Sequence, residues 1–130
     1  MKICLIDDNL SISGMLSKML RLEGHEVEAV TDGRSGLSAL ENNSYDVVLL
    51  DIAMPEFSGI DILDGLNKSG KIKGHNIAVI TASLITEAEV NHLRESGVKE
   101  ILKKPVDREE LFAFLERTSK TNSDVVLKDI

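Results

Sequence analysis

The sequence predicts an α/β protein: a doubly wound, five-stranded parallel sheet with helices on both faces. Three observations carry that expectation. Short apolar runs recur, among them Ile3-Cys4-Leu5-Ile6, Val47-Val48-Leu49-Leu50 and Ile77-Ala78-Val79-Ile80, each bounded by polar or turn residues. Unbroken runs of that length are how strands buried on both faces read. Between them lie amphipathic segments of helix length. Strand and helix then alternate five times along the chain, the pattern of parallel crossovers.

Taken in order, the first strand covers about residues 2–7 and the second His25 to Val30. The third runs from Asp46 to Asp51, the fourth from Asn76 to Thr81 and the fifth from Lys99 to Lys103. Ile12, Met15, Leu16, Met19 and Leu20 have the i, i+3, i+4, i+7, i+8 spacing of one helix face and are expected as the core side of the first helix. Gly24 stops that helix. Leu37 and Leu40 mark the second helix, and Ile60, Leu63 and Leu66 the third. Thr86-Glu87-Ala88-Glu89 is a capping box opening the fourth, with Val90 and Leu93 inside and Gly97 at its end. Asp107-Arg108-Glu109-Glu110 opens a fifth, with Leu111, Phe114 and Leu115 inward. Phe112 is turned about 100° from Leu111 and is expected to be exposed. Lys68 to His75, rich in glycine and lysine, reads as a mobile surface loop. The expected domain is residues 1–118. For residues 119–130 two readings stand: a flexible tail, or an extension of the last helix.

Composition narrows the function. A chain of 130 residues is long enough for one full core. A net charge of −7 disfavours direct contact with nucleic acid or an anionic membrane. No apolar run approaches spanning length and no signal peptide is visible, so a cytoplasmic location is expected. The lone Cys4 reads as a small buried apolar residue. His25, His75 and His92 lack metal spacing and read as surface residues. Met15 and Met19 read as helix core, and Met54 as loop. Because no second domain follows residue 130, a stand-alone or excised unit is expected.

Parallel strands put their carboxyl ends on one edge, where such sheets bind ligands. Asp7 and Asp8 follow the first strand, Asp51 ends the third, Thr81 ends the fourth and Lys104 follows the fifth. These side chains should therefore meet. Three carboxylates suit a hard divalent cation. A hydroxyl and an ammonium beside them suit a phosphoryl group.

Asp7-Asp8, then Asp51-Ile52-Ala53-Met54-Pro55 with Gly59, then Thr81-Ala82, then Lys104-Pro105, resemble the signature of receiver domains, the response-regulator halves of two-component signalling systems, such as chemotaxis regulators. The resemblance covers about residues 1–118. It implies a flavodoxin-like sheet in the order 2-1-3-4-5 with five flanking helices. It implies a signalling phosphoacceptor that assists its own phosphorylation and dephosphorylation, and not an enzyme. Asp51 would accept the phosphoryl group. Mg²⁺, with Mn²⁺ as an alternative, would be held by Asp7, Asp8, Asp51 and the backbone carbonyl of Ala53. Thr81, Lys104 and the Ala82 backbone would bind the phosphoryl group. The Lys104–Pro105 bond would be cis, Pro55 would shape the loop after Asp51, and Gly59 would supply a backbone conformation open to glycine. Ala53 and Ser83 would flank the path of the hydrolytic water. Partners would be a sensor histidine kinase or phosphotransfer protein and a downstream protein, with the chain a monomer or a weak phosphorylation-dependent dimer. Output would pass through the face of the fourth helix, fifth strand and fifth helix, from Leu84-Ile85 across Ile101. The family's usual aromatic partner to the switch threonine, Thr81, is replaced here by Ile101, which is shorter and stiff at χ1.

Three other classes fit less well. An aspartate-nucleophile phosphatase or phosphotransferase usually carries a second Asp two residues after the nucleophile, where this chain has Ala53, which cannot donate a proton. A flavodoxin-like cofactor module needs a hydroxyl- or glycine-rich phosphate loop after the first strand, and Asp7-Asp8-Asn9 is instead an acidic mouth. A receiver-like interaction domain that never takes phosphate would not need the complete set of acids, threonine and lysine.

Overall fold

The computed structural model describes the backbone of residues 1–82 and 85–128, and side chains as far as Ser119. The elements are β1 (Lys2–Ile6), α1 (Leu10–Leu22), β2 (Glu26–Val30), α2 (Gly33–Asn42), β3 (Val47–Asp51) and α3 (Gly59–Ser69). A 3₁₀ turn (Ile72–Gly74), β4 (Ile77–Thr81), α4 (Glu87–Glu95), β5 (Glu100–Lys103) and α5 (Arg108–Lys128) follow among the described residues. The five strands are all parallel, in the expected order β2-β1-β3-β4-β5, which leaves β2 and β5 at the edges. In register, Ile6 faces Leu50, Asp51 faces Ile80 and Thr81 faces Lys103. The strand ends are therefore nearly level, and the polar residues that follow them share one rim.

Side chains alternate across the sheet. Cys4, Ile6, Val48, Leu50 and Val79 enter one apolar cluster with Leu40, Ile62 and Leu66 from α2 and α3. Ile3, Leu5, Val47, Leu49 and Ile80 enter the other with Leu16 and Leu20 of α1 and Leu111, Phe114 and Leu115 of α5. β3 and β4 are buried along their whole length, so the site that forms at their ends stands on a rigid, dry base. Among the described residues, no helix is long and apolar enough to cross a membrane.

Several expectations need correction. Met15 is 58% exposed, and the buried residues of α1 are Ser13, Leu16, Ser17 and Leu20. The two serines let the helix lie close to the sheet, while Ile12 and Met19 pack only at its flank. Met54, although in a loop, is buried in the first cluster. Lys68 to His75 is not a free loop. α3 ends on Gly70 in the left-handed conformation (φ 73°), and Ile72 is buried in the core. Nor is His75 a surface residue: it is 6% exposed, and its Nε2 donates to the Leu40 carbonyl at 2.8 Å. Lys71 donates to the Glu41 carbonyl at 2.9 Å. The segment thus satisfies carbonyls left unpaired at the carboxyl end of α2. Phe112 is half-buried against the second cluster, with the Arg108 guanidinium 5.1 Å from its ring centre.

Candidate phosphoryl-acceptor and metal site

Each site side chain is placed by the end of a strand. β1 delivers Asp7, whose backbone N–H donates to the Val30 carbonyl at 3.0 Å. β3 ends on Asp51, and β4 on Thr81. The chain leaving β5 is tied back to β4, since the Lys104 N–H donates to the Thr81 carbonyl at 2.8 Å, and the Lys104–Pro105 bond is cis. Asp7 is fully buried, Asp51 is 2% exposed and Thr81 is buried, while Asp8 is exposed at the mouth.

The Lys104 ammonium lies 3.3 Å from Asp7 Oδ2 and 3.7 Å from Asp51 Oδ1. Asp7 Oδ1 accepts the Asn9 N–H at 2.9 Å, and Asp51 Oδ1 accepts the Ala53 N–H at 3.2 Å. Asp7 Oδ2 accepts no hydrogen bond; the ammonium beside it is an ion pair without hydrogen-bond alignment. Burial pushes the Asp51 carboxyl up from 3.8 to about 6, and the neighbouring Asp7 adds to this; the Ala53 N–H and Lys104 oppose it. Asp7, Asp8 and Asp51 each offer one oxygen, all within 4.8 Å of one another. A buried carboxylate oxygen that accepts no hydrogen bond and an acidic triad of this size fit a hard divalent cation, which takes oxygen ligands.

Of the other predicted residues, Ala53 and Ala82 lie exposed beside the acids, as does Pro55 in the loop after β3 and Pro105 after β5. Ile101 is half-buried in β5, opposite Val79, and packs on the first cluster, as does Ile85. Ser83 and Leu84 lie outside the described residues. Gly59 is needed for a different reason from the one expected. It begins α3 without a left-handed φ, but a Cβ there would stand 2.6 Å from the Asp51 carbonyl oxygen and 2.8 Å from Ile52 Cα. Close backbone approach, not conformation, excludes a side chain. Sequence reading missed Asn9, which caps α1 through its side chain while its N–H orients Asp7. The signal was present: Asn directly before the first apolar residue of a helical pattern is a favoured N-cap.

Comparison with known proteins agrees with this geometry. Residues 3–116 match the response regulator receiver domain family. The response regulator protein PmrA of Pseudomonas aeruginosa is 38% identical over 130 residues, covering 100% of this chain and 58% of that protein. The transcription factor SKN7 of Saccharomyces cerevisiae is 35% identical over 118 residues, covering 88% of this chain and 18% of that protein. The chain spans about half the length of the bacterial relatives it matches. Among solved structures, the Francisella response regulator 1452 receiver domain superposes with a TM-score of 0.82 at 26% identity, covering 93% of this chain and 98% of that one. The receiver domain of sensor histidine kinase PA1611 from Pseudomonas aeruginosa, solved with a magnesium ion coordinated in its active site cleft, gives 0.77 at 28% identity, covering 89% and 94%. A match that runs through all five strands and every strand end described above decides the assignment: this chain belongs to the response regulator receiver domain family.

Proposed function

We propose that Asp51 accepts a phosphoryl group from a sensor histidine kinase or phosphotransfer protein, with Mg²⁺ as cofactor and Mn²⁺ able to replace it. The observation that carries this reading is the pairing of two buried carboxylates, Asp7 and Asp51, around one ammonium, with Asp7 Oδ2 ion-paired but accepting no hydrogen bond. Above a pKa of about 6, Asp51 is a carboxylate at neutral pH and so a competent nucleophile. Attack forms a bond from a carboxylate oxygen to phosphorus and breaks the bond to the donor nitrogen, giving an acyl phosphate. Asp7, Asp8, Asp51 and the Ala53 carbonyl would hold the metal, and when bound it offsets the charge gathered between carboxylate and phosphoryl oxygens. Lys104 supplies a point charge to the phosphoryl oxygens, and the Thr81 hydroxyl and Ala82 N–H supply hydrogen bonds.

Output is proposed to pass through the α4–β5–α5 face. Ile101 cannot reproduce the swing of an aromatic ring, so backbone movement after Thr81 carries the change, with Ile85 and Ile101 repacking less. Treatment with a small phosphodonor and Mg²⁺, followed by mass spectrometry, tests the acceptor: phosphate should appear on Asp51, and full incorporation into Asp51→Asn refutes the reading. Chemical-shift mapping with a phosphate mimic tests the output. Shifts confined to the metal site, with none in β5 or α4, would exclude this face.

A further inference from the structure

We propose that the amino end of α2 is a positioning element for the Asp51 site, and that Gly33 is its key residue. The segment from Ile52 to Ser58 joins β3 to α3 and carries Ala53, whose N–H meets Asp51. At its far end it is held by Gly59, whose N–H donates to the Ile52 carbonyl at 3.0 Å. It is held a second time from outside. A Cβ at Gly33 would lie 1.9 Å from the Phe57 carbonyl oxygen and 2.8 Å from its carbon. The Phe57 carbonyl therefore rests directly on the first turn of α2, in space that only glycine leaves open.

Phe57 has little room to yield. Its ring packs on the first apolar cluster, and the Arg34 guanidinium lies 4.9 Å from the ring centre. Its N–H donates to the Pro55 carbonyl at 2.7 Å. Glu56, immediately before it, has φ 65°, the one left-handed non-glycine residue among those described. Met54 is buried. A push on the Phe57 carbonyl is therefore not absorbed by a loose hinge and passes back toward Ala53. There the bond to Asp51 is already 3.2 Å long, so a small shift breaks it. Groups that orient a reactive carboxylate from outside matter: losing one typically costs about 10-fold to 100-fold in metal affinity or activity. The consequence for phosphate uptake rests on the acceptor role proposed above.

Gly33→Ala tests this, with Gly36→Ala as its control. A Cβ at Gly36 would crowd Ile6 Cγ2 at 2.9 Å and Ile62 Cδ1 at 3.2 Å, so it strains the same helix without touching the loop. Two readouts are taken: amide hydrogen exchange of Ala53 in metal-free protein, and the rate of labelling by a small phosphodonor with Mg²⁺. In Gly33→Ala, Ala53 exchange should rise and labelling should slow, each by about tenfold. Gly36→Ala should lower stability and move neither. Arg34→Ala, at an exposed position, should raise Ala53 exchange by a smaller factor, and it decides the matter alone if the Gly33 variant fails to fold. Unchanged Ala53 exchange in Gly33→Ala or, failing that variant, in Arg34→Ala overturns the proposal, as does an equal rise in Gly36→Ala. If the wild type takes no phosphate at all, the acceptor reading falls while the exchange comparison still decides this one.

Discussion

Replacing Asp51 with Asn should stabilise the metal-free protein at neutral pH, and only where the native carboxyl would be charged. Burial and Asp7 lift that carboxyl from 3.8 to about 6. Between those values the folded chain holds the proton that the unfolded chain has released, so stability falls as pH rises through the window and stays lowered above it. The displacement corresponds to about 3 kcal/mol. Asn is nearly the same shape and keeps an oxygen for the Ala53 N–H. The Lys104 ammonium, 3.7 Å from Asp51, keeps Asp7 at 3.3 Å as its partner. Burying an amide with unpaired donors takes back part of the gain, leaving about 1–2 kcal/mol. For a chain of this size that is a rise in Tm on the order of 5–10 °C. The assay is thermal unfolding followed by circular dichroism in EDTA, at pH 7.5 and at pH 3.5. The gap should be present at the higher pH and nearly gone at the lower. Mg²⁺ should narrow it at pH 7.5 by raising the wild type more than the variant. A variant that melts at or below the wild type at pH 7.5, or a gap that is the same at both pH values, would refute the strained-acid account.

Lys104→Ala should push the Asp51 midpoint above about 6, because the ammonium is one of the groups that lowers it; a carboxyl-carbon NMR titration reads this directly, and phosphodonor labelling should fall by about tenfold or more. Leu20→Ala empties a fully buried position under the sheet and should cost about 3–5 kcal/mol by urea unfolding, with the labelling rate of the folded fraction unchanged. Ala53→Asn places an amide beside the acyl phosphate, on the proposed water path, and should alter the dephosphorylation rate; an unchanged rate would remove this position from that path.

Much of this was legible in the sequence because the information was local. Val47-Val48-Leu49-Leu50-Asp51 announces both a buried strand and the carboxylate at its end, and the alternation of elements fixes which edge those ends share. The capping box Thr86 to Glu89 was legible for the same reason, and the structure has both of its hydrogen bonds. What failed was long-range. His75 looks like a loop residue because its partner, the Leu40 carbonyl, is 35 residues away. Gly59 and Gly33 are required by backbone that approaches from other segments, which no local pattern encodes. In α1, apolar residues flank the true core face on one side. Periodicity alone therefore rotated the helix toward Met15 and away from Ser13 and Ser17, where small size rather than apolarity is what the sheet demands.

The strand order also bears on how the chain behaves when crowded. An open sheet has two exposed edges, each a row of unpaired backbone groups able to recruit a strand from another molecule. Here the outermost strands are β2 and β5. β2 carries exposed Glu26 and Glu28, and β5 is only four residues long, with Glu100 and Lys103 at its ends. Short, charged margins turn away such a strand, and the apolar strands β1, β3 and β4 are kept inside. Glu26→Val with Glu28→Val would leave five consecutive apolar residues along an open margin. Beyond losing the hydrogen bond that the buried Tyr45 hydroxyl donates to Glu28, such a chain would show its cost in solubility, as light scattering that grows with protein concentration.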